Sequence, residues 1–147
     1  VIRNKMEVLL IAIPFAWLGM LGAISFLEAP LKFRAPNITR ELALGIGKLV
    51  FRALNRVELV LAAVMLICMI ATRLSTRNIQ LLFGATAAIL IVQTVWLLPS
   101  LSARATAVIA GEEVPNSRLH LVFVVCETVK ILLLAVVGVM LLSEFKV

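Results

Sequence analysis

Apolar residues run almost unbroken through four stretches of the chain, about residues 8–27, 57–72, 79–98 and 119–142, and charged or polar residues crowd the segments between them. A helix needs about 20 mostly apolar residues to cross the hydrocarbon core of a bilayer. Inside that core only helices and closed barrels satisfy their own backbone groups. The pattern therefore predicts an all-α, polytopic membrane protein: a four-transmembrane-helix bundle forming a single membrane domain over residues 1–147. The first connection is not simple coil. From about residue 38 to 55, Glu41, Gly45, Lys48, Arg52 and Arg56 recur at helical spacing opposite Leu42, Ile46, Leu49, Val50, Ala53 and Leu54. That periodicity predicts an amphipathic interfacial helix between spans one and two, with Asn37 after Pro36 as its cap. Pro30 is expected to stop the first span and Pro99 the third, while Arg73 and Arg77 flank a tight turn, Leu74–Thr76.

Composition sharpens this picture. Mean hydropathy is +1.12 and 63% of residues are hydrophobic, against about 45–50% apolar in soluble domains, so four spans leave no room for an extramembrane domain. Lys and Arg number 14 against 8 acids, all of them Glu. The basic residues sit at the ends of apolar runs and form no stripe interleaved with aromatics, which points to anionic lipid at the first connection and to no nucleic acid. Gly19, Gly22, Ala23 and Ser25 give the first span a small-residue face that suits other membrane subunits or a homo-oligomer. Cys68 and Cys126 lie inside apolar runs without CxxC spacing and read as reduced packing residues. The first run follows Arg3 and Lys5 like a signal peptide, but its length and the lack of a small-residue cleavage motif favour a retained anchor. The side of the first and third connections carries Lys32, Arg34, Arg40, Lys48, Arg52, Arg56, Arg104 and Arg118, and the opposite side only Arg3, Lys5, Arg73, Arg77 and Lys146. The positive-inside rule then places both termini outside.

Ionisable groups inside spans are costly and mark candidate functional sites. Glu28, Asn55, Glu58, Gln93, His120, Glu127 and Lys130 are these candidates for ligand or ion binding, and their depths place them in the half of the bilayer beside the first and third connections. Lys130 lies three residues beyond Glu127 and can pair with it; Glu58 has Arg56 or Arg52 within its own segment. The expected object is a wet, open-sided cavity lined by carboxylates, with a purely structural ion pair as the alternative. Trp17 and Trp96 read as packing or interface residues. Glu58, His120 and Glu127 are the candidate metal ligands by residue type, although no Glu-x-x-His or His-x-x-x-His spacing accompanies them. No cofactor is identified. Nucleophile elbow, P-loop and Rossmann glycine patterns are all missing from the sequence.

The stretch from Gly22 to Phe33, with Gly47–Phe51, Asn55–Glu58 and Leu119–His120, resembles the transmembrane protein 205-like family and its bacterial relatives of unknown function. The resemblance implies a bacterial inner-membrane protein, with Pro30, Phe33, Asn55, Glu58 and His120 at family-pattern positions and a link to resistance against metal-containing compounds. Glu127 and Lys130 have no place in that pattern. Three roles follow as expectations: transport of, or resistance to, a cation, metal species or amphiphile; an accessory subunit of a larger membrane complex; and an enzyme acting on a lipid or quinone through His120 and a Glu.

Overall fold

The computed structural model describes residues 2–74 and 76–145; Ser75 of the expected turn and Lys146 lie outside the described residues, as does the side chain of Arg3. All its elements are helical: α1 (Ile2–Gly22), a first π segment (Ala23–Glu28), α2 (Ala29–Lys32), α3 (Arg40–Ala71), α4 (Arg77–Val92), a second π segment (Gln93–Leu97), α5 (Leu98–Ile109) and α6 (Leu119–Glu144). They form four helices long and apolar enough to cross a membrane, Lys5–Lys32, Arg40–Ala71, Arg77–Ile109 and Leu119–Glu144. The chain is a four-helix membrane bundle.

Its helices differ from the expected elements at four places, each for a local physical reason. The amphipathic stretch and the second span form one unbroken helix, α3, because no Gly-Pro signal or turn chemistry interrupts the 3.6-residue period after residue 40. Asn37 does not cap it. Asn37 sits in the left-handed region at φ 62°, a conformation its short polar side chain tolerates, and Thr39 becomes the N-cap, its side chain accepting from Leu42 N at 3.3 Å. Nor do the prolines stop their helices. Pro30 and Pro99 fall two residues after a π segment, and the carbonyls each ring would strike, four residues back, belong to Phe26 and Val95 within those segments. There the backbone is already widened: Ala29 N–H bonds Ile24 O and Leu98 N–H bonds Gln93 O, each reaching back five residues. A π turn thus carries each helix past its proline.

Helix ends are closed by familiar means. At the end of α3, Leu74 N bonds Met69 O at 3.0 Å and Arg73 N bonds Ile70 O at 3.1 Å, with Arg73 at φ 54°. This paired closure normally prefers glycine at the left-handed position, and α5 uses Gly111 at φ 80° for it. Around the bundle α1 packs on α6 and α3, α4 on α6, and α5 on α3. The third long helix therefore changes neighbours at its π segment, leaving α6 for α3. That change of partner parts α5 from α6 and sets the position of the site.

The core joins Leu10, Ile13, Trp17 and Leu21 of α1 to Leu134, Val137 and Leu141 of α6, with Leu54, Met65, Phe83 and Leu90 from the other helices. α1 packs tightly on α6 at Gly138, where a Cβ would stand 2.7 Å from Phe15 Cζ and within about 3 Å of two further ring atoms. To admit it the Phe15 ring would have to swing out of its place between the two helices. Gly138→Ala should accordingly lower stability by about 1–3 kcal/mol, measured by unfolding in mixed detergent micelles. Gly19→Ala, with nothing within 4 Å of its added carbon, should be neutral or raise stability by up to about 1 kcal/mol through helix propensity.

Candidate functional site

Lys130 of α6 is fully buried, and so is Glu127 one turn earlier on the same helix. Lys130 Nζ lies 2.9 Å from Glu127 Oε1 and also bonds Glu58 Oε1 of α3, itself only 3% exposed. One ammonium thus joins two carboxylates from different helices. Each carboxylate has further donors: Trp17 Nε1 of α1 reaches Glu58 Oε1 at 3.0 Å, Gln93 Nε2 reaches Glu127 Oε1 at 2.8 Å, and Ser25 Oγ reaches Glu127 Oε2 at 3.1 Å. All four long helices therefore meet at this cluster. Charges withdrawn from water need such dense hydrogen bonding to be tolerated at all.

Ser25 and Gln93 both come from π segments. A π turn rotates the residues it contains relative to a regular α-helix, and such turns recur at functional sites. In this bundle the two turns deliver one hydroxyl and one amide to the same Glu127 carboxylate. Gln93 is 2% exposed and its Oε1 is buried with no hydrogen-bond partner. Reversing the amide would set an oxygen against Glu127, so the carboxylate fixes its orientation and leaves an acceptor open to a donor. Beside it, Thr94 Oγ1 lies 2.9 Å from Asn55 Oδ1 and 2.7 Å from Leu90 O, tying the second π segment to α3.

Next to the cluster, between α2, the first half of α3, α5 and the start of α6, lies a cavity of about 390 Å³. Phe33, Phe51, Phe123, Leu98 and Leu101 supply apolar wall, with the Phe51 and Phe123 rings edge to face at 5.2 Å. Ser25 and Glu127 lie at its inner side, and Lys32, Lys48, Arg52 and His120 also line it. Lys32 pairs with Glu28 at 3.2 Å, its ammonium 5.2 Å from the Phe51 ring centre. Gly47 makes room for it, since a Cβ there would meet Lys32 Nζ at 2.9 Å. Lys48 donates to Thr106 Oγ1 at 2.6 Å and Arg52 to Ser102 Oγ at 2.9 Å, two rungs that hold α5 on α3.

The expected carboxylate-lined open cavity is therefore divided in two. Glu58 and Lys130 are buried and do not line the cavity, and of the three charged residues only Glu127 does. Glu58 takes Lys130 as its partner and not Arg56 or Arg52, because its side of α3 turns inward while Arg52 and Arg56 are exposed. Glu28, His120 and Glu127 belong to the same region, but Asn55 and Gln93 lie on the cluster side. Among the described residues no three His, Cys, Asp or Glu side chains are grouped closely enough to hold a metal ion, so Glu58, His120 and Glu127 are not brought together as ligands. Cys68 and Cys126 are free thiols. Trp17 and Ser25 were outside the candidate set; the only signal for them was a donor on a small-residue or packing face one span away from an intramembrane Glu.

Comparison with known proteins finds one family. The profile of a family described as a domain of unknown function (DUF4149) matches residues 13–109, well over half of the chain. The match takes in Trp17, Ser25, Glu58 and Gln93. No curated protein and no solved structure matches.

The cluster makes a direct prediction for stability. Lys130→Met strands two carboxylates in the core and should cost about 3–5 kcal/mol in detergent unfolding. Adding Glu58→Gln and Glu127→Gln to it should recover most of that loss, because the removed charges take their desolvation penalty with them.

Proposed function

The chain belongs to the DUF4149 family, a family of unknown function, and from that premise we propose that it is a small transport or resistance component of the bacterial inner membrane that draws an amphiphile from the bilayer. The observation that carries this reading is one shared wall. Glu127 bonds buried Lys130 on one side and lines the aromatic cavity on the other. The volume, about 390 Å³, lies within the range of small-molecule sites. Its apolar walls suit a hydrocarbon tail and its basic residues a polar head.

The alternatives account for less. An architectural ion pair in an accessory subunit needs no cavity beside it, and such a pair is often no more stabilising than apolar residues of equal volume. An acid–base enzyme would need His120 within hydrogen-bond reach of the proton it handles, yet His120 and Glu127 are two helical turns apart, about 10 Å along α6. The resemblance to the transmembrane protein 205-like family supports handling of a toxic compound at the membrane. The donor set favours an amphiphile over a metal ion as that compound.

Photolabelling tests the reading. Purified protein in liposomes containing equal amounts of phosphatidylglycerol and phosphatidylcholine, each with a diazirine in one acyl chain, should be labelled at Phe51 or Phe123. Ala105→Trp, which fills the cavity from α5, should remove that label while outward residues such as Val60 and Val95 keep theirs. Labelling spread evenly over the outward faces, with no enrichment in the cavity of the unaltered protein, overturns it.

A further inference from the structure

Not all of the charged groups around the cavity are neutralised to the same degree. Glu127 has Lys130, and Lys32 has Glu28. Lys48 and Arg52 differ: each reaches a hydroxyl, Thr106 Oγ1 and Ser102 Oγ, and neither has an ion pair among the described residues. Standing one turn apart on α3, they leave the cavity with two uncompensated positive charges on one edge. Guanidinium and ammonium groups both retain N–H donors after one hydrogen bond. Phe51, Phe123 and Glu127 line the same cavity, and Glu127 shares the buried Lys130 ammonium with Glu58. The cavity thus combines two cations bonded only to hydroxyls, an aromatic wall, and one face of a carboxylate already engaged by its own partners.

We infer that the amphiphile is a phospholipid of net negative charge, its phosphodiester held by Lys48 and Arg52 and an acyl chain lying against Phe51 and Phe123. This rests on the amphiphile reading above. A zwitterionic lipid brings a cation of its own, which would have to sit among Lys48, Arg52 and Lys32. Anionic lipid brings none. Phe26 and Phe33, 48% and 51% exposed, form part of the cavity wall and also meet the surroundings of the bundle, which gives a chain a sideways path in from the bilayer.

The experiment compares the two diazirine lipids in separate liposomes of neutral background. Phosphatidylglycerol should label Phe51 and Phe123 well above phosphatidylcholine. Lys48→Gln and Arg52→Gln should each reduce that preference by about fivefold, the factor that one basic group contributes near a membrane surface. Lys48→Arg with Arg52→Lys, which keeps both charges, should preserve it and serves as the control for folding. The preference should shrink in high salt. Equal labelling of the cavity by both lipids overturns the inference and leaves the amphiphile reading standing. An unlabelled cavity with both lipids overturns the two together.

Discussion

An ammonium group in the middle of a membrane bundle must be matched in charge before the bundle can exist, and Lys130 is matched by carboxylates from two helices. Everything near it follows from that demand. Two carboxylates around one ammonium leave more acceptors than a single cation can fill, so Trp17, Gln93 and Ser25 are drawn in from three further segments. Directional bonds of this kind specify one arrangement of four otherwise greasy helices, whose apolar faces alone would tolerate sliding and rotation. Hydrocarbon packing in a bilayer offers little to choose between registers, since lipid tails are as apolar as leucine. The cluster supplies the choice.

The same demand explains the irregular backbone. Regular α-helices on either side of Pro30 and Pro99 would strike a carbonyl with the proline ring, and the π segments widen the backbone where that carbonyl lies. They also turn Ser25 and Gln93 toward Glu127 and send α5 away from α6 toward α3. The cavity is the space left by that departure, and the Lys48–Thr106 and Arg52–Ser102 rungs hold it open on the far side. Proline, π turn, buried carboxylate and cavity are thus parts of one arrangement, in which the backbone irregularity places the polar groups and also makes room for a ligand beside them.

Helix number and the Glu127–Lys130 pair were legible in the sequence because both depend on local spacing: length of apolar run in one case, three residues on one helix in the other. Glu58 was legible as a buried acid but not its partner, because Lys130 is 72 positions away and the amphipathic turns before Glu58 offered nearer arginines. Trp17 and Ser25 were invisible for the converse reason. Neither is costly in a membrane, so neither announces itself until a carboxylate stands opposite. Pro30 and Pro99 were read as stops because local rules treat proline by what it forbids in an α-helix; the wider turn that accommodates it is chosen by tertiary contacts. The Asn37 cap failed on competition between two polar residues two positions apart, which only the path of the loop decides.

Glu58 lies on α3, and Lys130 on α6, which follows it in the chain. α1, α3 and α4 all precede α6 in the chain. Until α6 packs among them, the Glu58 carboxylate lacks Lys130, and Gln93 and Ser25 have no common acceptor. Arrival of α6 brings Glu127 and Lys130 together and places them between α1 and α4. The last helix of the chain thus carries both the cation that Glu58 shares and the carboxylate that Gln93 and Ser25 bond, and it is the element through which the polar cluster reaches every other helix.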